Sequence, residues 1–148
     1  MAGFSPDTSC MVAAVCAWHE DHDPTREEIE RRLRQTETML VAGPALVEAY
    51  AVLTRLPAPH RLAAADALAL LDSNFIGLGR IVALDAGAYR TLVRRAPAEG
   101  ISGGRTYDAV IAACALRGQA TTLLTLNEQH FVHFAAVGLE IVVPGRNR

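Results

Sequence analysis

Three carboxylates and one carboxamide fall at positions where they can act together. Asp7 directly follows a short opening segment that reads as a strand, and Glu48 lies about one helical turn past the Gly43-Pro44 break that closes the second strand. Asp108 stands near the start of the helix that precedes the fourth strand, and Asn127 lies just beyond that strand's end. All four can meet at one edge of a sheet. Carboxylates gathered in one cleft repel each other unless a cation sits among them, and hard oxygen donors favour Mg²⁺ or Mn²⁺. Zinc fits less well, because the chain has neither a close cysteine pair nor an H-E-x-x-H spacing.

Taken singly, each residue has an ordinary structural role. Asp at a helix start caps it, Asp in a first turn complements the helix dipole, and a helical Glu is commonly solvated. Context sets these acids apart: Asp7 sits in P-D-T-S, Glu48 interrupts A-L-V-E-A-Y-A-V-L, and Asp108 interrupts T-Y-D-A-V-I-A-A-C-A-L. Acids embedded in apolar runs need partners. Thr8 and Ser9 beside Asp7 are candidates to touch substrate or water, and Arg105 after Gly103-Gly104 can bring a guanidinium to a phosphate at a helix entrance. Arg90 and Arg94 share a helical face with no acid at i±4, unlike Arg31, Arg32 and Arg34, which have glutamates at i−4. His19 and His22, among Glu20, Asp21 and Asp23, read as solvated loop, as do His130 and His133.

The elements that must position these side chains follow from alternating helical and strand periods. Strands are expected to end near Pro6 and to run over Met39–Ala42, Arg80–Leu84, Thr121–Leu126 and Leu139–Val143. Helices are expected from Asp7 to about His19, from Pro24, over Pro44–Leu56, Pro59–Phe75, Ala86–Ala96 and Arg105–Arg117, and around Glu128–Ala136. Strands separated by helices cannot form hairpins, so right-handed crossovers stack them into a mostly parallel sheet of about five strands with about seven helices on both faces. Ligands in such α/β sheets bind at the strands' carboxyl ends.

Composition narrows the function further. The 148 residues make one average domain, read as residues 1–148, and 51% hydrophobic against 20% charged residues supplies a core. All 14 basic residues are arginine, which excludes a Schiff-base lysine, a Walker A loop and a lysine base. A net charge of −2 excludes nucleic-acid binding by bulk positive charge, leaving only local patches. Three cysteines without a C-x-x-C pair fit reduced thiols, and neither a signal peptide nor a transmembrane stretch is visible, so a cytoplasmic protein without membrane contact is expected.

The segments D-T-S, V-E-A-Y, T-Y-D-A-V-I-A-A-C-A-L and T-L-L-T-L-N-E-Q-H-F together resemble PIN-domain ribonucleases, and more narrowly VapC-type toxins, over nearly the whole chain. The resemblance implies a PIN-like three-layer fold. It also implies Mg²⁺- or Mn²⁺-dependent hydrolysis of RNA phosphodiesters by a metal-activated water, leaving 5′-phosphate and 3′-hydroxyl ends. In that family the acids matching Asp7, Glu48 and Asp108 form the metal site; here Asp7 and Asp108 are the implied ligands, with Glu48 at the outer edge. The fourth acid of the family pattern is Asn127 in this chain, which removes one negative charge and leaves open whether Glu128 compensates. A VapB-type antitoxin and a homodimer using the apolar helices between Ala45 and Leu71 are implied as partners. Two other readings are a catalytically degenerate PIN fold that only binds RNA or protein, and a small-molecule phosphohydrolase, against which the missing D-x-D-x-T pattern counts.

Overall fold

The computed structural model describes residues 2–146. Strands β1 (Gly3–Pro6), β2 (Thr38–Ala42), β3 (Arg80–Val82), β4 (Thr122–Leu124) and β5 (Glu140–Val142) form a single sheet in the order β3-β2-β1-β4-β5, with every pairing parallel. The inner strands read as continuous apolar runs, such as Met39–Ala42, because helices cover both faces of the sheet. These are α1 (Thr8–Val15), α2 (His22–Arg34), α3 (Gly43–Arg55), α4 (Ala64–Leu71), α5 (Ala86–Arg95) and α6 (Arg105–Arg117). A seventh helical stretch, between β4 and β5, consists of two 3₁₀ turns, Glu128–His130 and Val132–Val137.

Phe4, Met11, Leu40, Leu53, Phe75, Leu123 and Phe131 are fully buried in the main core, where each contributes about 1.5–3 kcal/mol by leaving water. This core fixes the backs of α1, α3 and α6 against the sheet, so the residues at their amino-terminal turns have little freedom to move. The chain steps outward from β1 through β2 to β3, then returns to β4 on the other side of β1. The carboxyl ends of β1 and β4 therefore flank the point where strand order reverses, which is where open α/β sheets leave a crevice.

Pro6 lies in the central strand without breaking it. The β1–β2 register ends at Phe4 and Met39, whereas β1 pairs with β4 as far as Pro6 and Leu124. Asp7 N then donates to Leu124 O at 2.9 Å. Donors alternate sides along a strand, so the missing N–H of Pro6 faces the β2 side, where pairing has already stopped.

Several boundaries differ from the expected ones. Helix α1 ends at Val15, since Cys16 adopts extended backbone and the chain turns there. Helix α2 starts at His22 and takes Pro24 into its first turn, where no intrahelical donor is needed. The helix expected from Pro59 begins only at Ala64: Leu62 N donates to Leu53 O and Arg61 Nε to Leu56 O, tying residues 56–63 back onto the end of α3. The helix then runs on as a π turn over Asp72–Ile76. Strands β3, β4 and β5 are each three residues long, shorter than their apolar runs. On α2 the expected ladder of three ion pairs is concentrated on one acid. Buried Glu28 takes both Arg31 and Arg32, and Arg32 also holds Glu37 at 2.9 Å.

Candidate active site

Asp7 is the best-held group of the crevice. It caps α1, its Oδ1 accepting from Cys10 N at 3.0 Å and from Ser9 Oγ at 2.6 Å, while Oδ2 accepts from Thr125 Oγ1 at 2.6 Å. Ser9 Oγ and Thr125 Oγ1 in turn accept from the backbone N–H groups of Leu126 and Asn127 at 3.1 and 2.9 Å. Because each of these hydroxyls accepts from the backbone, its own proton is directed at Asp7. The carboxylate thus joins the end of β1 to the end of β4 in one defined orientation.

Asp7, Thr8, Ser9, Glu48, Arg105, Asp108 and Asn127 all line a single cleft of about 780 Å³. Asp7 is 3% exposed, Asp108 is half-buried, and Glu48 and Asn127 are open to solvent. Burial raises the pKa of Asp7, overcoming the hydrogen bonds that favour its charged form, and repulsion from Asp108 adds to the rise. Burial likewise raises Asp108, with repulsion from Glu48 in the same direction and the nearby His130 and Arg105 opposing it. The three acids therefore sense one another, and the solvent-exposed Arg105 lines the cleft with them.

This donor set suits a hard cation. It is all oxygen, its acids are mutually repelled, and Thr8 Oγ1 is buried in the cleft wall with no hydrogen-bond partner among the described residues. Among the described residues no group of three or more His, Cys, Asp or Glu side chains forms a ready-made metal cage.

A family model, the PIN domain, matches residues 5–137, from within β1 to the end of the second 3₁₀ turn. This chain is a PIN-domain protein. Ribonuclease VapC40 of Mycobacterium tuberculosis is 39% identical over 120 residues, covering 81% of this chain and 84% of that protein. Ribonuclease VapC27 of the same species is 35% identical over 103 residues, covering 70% and 72%. In backbone, the PIN domain is similar to DNA-bound VapBC from Salmonella typhimurium, with a TM-score of 0.68 at 21% identity over 97% of this chain and 98% of that one.

Sequence reasoning missed Thr125, which holds Asp7 from behind the cleft, and His130, which lines it. Thr125 is fully buried, and its contact with Asp7 depends on the β1–β4 register, which no local pattern reveals. His130, expected in solvated loop, lines the cleft with Nδ1 3.4 Å from Asp108 Oδ2. Its signal was the spacing of three residues after Asn127, one turn along, and His130 N indeed donates to Asn127 O. His19 also lines the cleft, while His22 Nδ1 lies 2.9 Å from Ala13 O, so neither is free loop. Glu128, next to Asn127, is outside the cleft lining and pairs with Arg146 at 2.5 Å. Arg90 and Arg94 are exposed on α5, away from the cleft.

Proposed function

We propose that the protein is a metal-dependent endoribonuclease, the toxin of a VapBC-type toxin–antitoxin pair. The observation that carries this reading is the convergence of Asp7, Glu48, Asp108 and Asn127 in one cleft at the strand-order reversal of a PIN domain. Relatives with 39% and 35% identity are named ribonucleases, which supports the same chemistry here.

Asp7 and Asp108 are the proposed ligands of Mg²⁺ or Mn²⁺, with Glu48 at the outer edge. A divalent ion held there supplies positive charge against the phosphate and lowers the pKa of water, so that hydrolysis proceeds near neutral pH. The protein's part is positioning. Ser9, Thr125 and Cys10 N hold Asp7 in place before substrate arrives, which spares reorganisation during reaction. His130 steadies Asp108, Arg105 faces the incoming phosphate, and Glu48 orients water at the cleft mouth. Asn127 offers a neutral carboxamide, and Thr8 and Ser9 line the cleft beside Asp7.

The partners follow the same reading. Solved structures of this fold include VapBC complexes, which supports a VapB-type antitoxin as partner. Exposed Val47, Tyr50 and Leu68 on α3 and α4 supply apolar surface for a homodimer. Among the described residues no helix is long and apolar enough to cross a membrane, and we place the protein in the cytoplasm with its RNA.

Chelation tests the proposal. Protein stripped with EDTA should leave RNA intact, and Mg²⁺ or Mn²⁺ should restore cutting in wild type but not in Asp108→Asn. Metal binding with tight RNA retention but no cutting would favour a degenerate, binding-only PIN fold, a reading that Asn127 specifically suggests.

A further inference from the structure

We propose that Trp18, stacked on His60 and next to the cleft-lining His19, is a shelf on which an unpaired base of the RNA substrate stacks. The inference rests on the ribonuclease reading above. Trp18 is the chain's single tryptophan, and it is 49% exposed where α1 has given way to a turn. Its ring lies 4.0 Å from that of His60 with 24° between the planes, so His60 covers part of the indole and the remainder faces solvent. The His19 ring is 5.7 Å from the Trp18 ring, and His19 lines the same cleft as Asp7 and Asp108. His19 thus connects the exposed indole to the wall of the cleft that holds the acids.

The shelf is built before anything binds. His19 N donates to Cys16 O at 2.9 Å, fixing the turn after α1, and His60 N donates to Pro57 O at 2.9 Å in the loop tied to α3. Asp21 N donates to His19 Nδ1 at 3.0 Å, which leaves Nε2 as the protonated nitrogen of the neutral ring and a donor for a phosphate or a base edge. The occupant follows from charge. A chain of net charge −2 with no lysine gains little from bulk attraction to a polyanion, so its affinity must come from local contacts. Stacking on an aromatic side chain is such a contact, works for any base, and requires a base out of its duplex.

The sole tryptophan reports its own occupancy. In Asp7→Asn protein a short mixed-sequence single-stranded RNA should quench Trp18 fluorescence saturably, while an abasic strand of equal length and a blunt duplex should quench weakly. In the active protein Trp18→Ala should raise KM for cleavage about tenfold with kcat within about twofold, and Trp18→Phe should recover most of the loss. Equal quenching by the abasic strand, no quenching by RNA, or an unchanged KM in Trp18→Ala would overturn the shelf. A response to antitoxin peptide alone would also overturn it and assign the surface to protein. Because quenching needs no cutting, failure of the nuclease reading would appear separately, as wild-type protein that quenches yet leaves RNA whole.

Discussion

Thr125 Oγ1 donates a 2.6 Å hydrogen bond to Oδ2 of Asp7 and accepts one of 2.9 Å from the backbone of Asn127, so one buried hydroxyl locks the ends of the two central strands together. The two residues lie one position past the Pro6–Leu124 register pair. Thr125→Val keeps the shape but leaves a carboxylate oxygen and a backbone N–H without that partner, a loss worth about 1–3 kcal/mol of stability. We expect kcat to fall about tenfold and Mn²⁺ to bind more weakly while KM for RNA holds, with Thr125→Ser restoring both. Calorimetric Mn²⁺ titration beside steady-state kinetics checks this.

Asp7→Asn separates chemistry from folding. Burial raises the carboxyl pKa in the folded state, so the wild-type fold loses stability as pH rises from the ordinary carboxylate range through that raised value. Asparagine has no such loss, and its Oδ1 can still accept from Cys10 N and Ser9 Oγ. The variant should therefore melt at or above the wild-type temperature at neutral pH without metal, with activity down by at least about 100-fold. Added Mg²⁺ should raise the melting temperature of wild type only.

Asn127 offers a gain-of-charge test. Glu128 is held by Arg146, so the cleft lacks the family's fourth acid. Asn127→Asp should lower the Mg²⁺ concentration needed for half-maximal cutting several-fold, because each added carboxylate strengthens a hard-cation site. A titration of rate against Mg²⁺ reads the shift directly.

How much of this was legible in the chain depended on whether the information was local. Helix α6 occupies the expected Arg105–Arg117, since its Gly-Gly start and apolar period lie in the segment itself. Asp7, Glu48 and Asp108 stood out as acids in apolar runs, and alternating strands and helices put them at the carboxyl edge of a parallel sheet, but the strand order came only from the structure. Thr125 and His130 did not stand out, because a threonine ending a strand and a histidine in a polar turn acquire meaning only through partners far along the chain. The tie between Leu62 and Leu53, which delays α4, was hidden for the same reason.

Away from the cleft, Asp85 caps α5, accepting from Ala88 N and from Arg117 Nη2, each at 2.8 Å. The Ala88 hydrogen bond, followed by Arg117, holds its carboxyl below the ordinary value. A lowered acid contributes stability above the unfolded pKa and loses it as pH falls toward the folded one. Asp85→Ala should thus melt a few degrees lower than wild type at pH 7, with the gap narrowing below about pH 4, and RNA cleavage should be unaffected. Thermal melts across pH test it.

The most direct measurement is cleavage of total cellular RNA by purified, antitoxin-free protein, with and without Mg²⁺ or Mn²⁺ and beside Asp7→Asn, with the new ends mapped. The account predicts discrete, metal-dependent cuts that leave 5′-phosphate and 3′-hydroxyl ends and vanish in Asp7→Asn. Cuts that persist in that variant or in EDTA, or folded wild-type protein that binds metal and leaves every RNA intact, would contradict it.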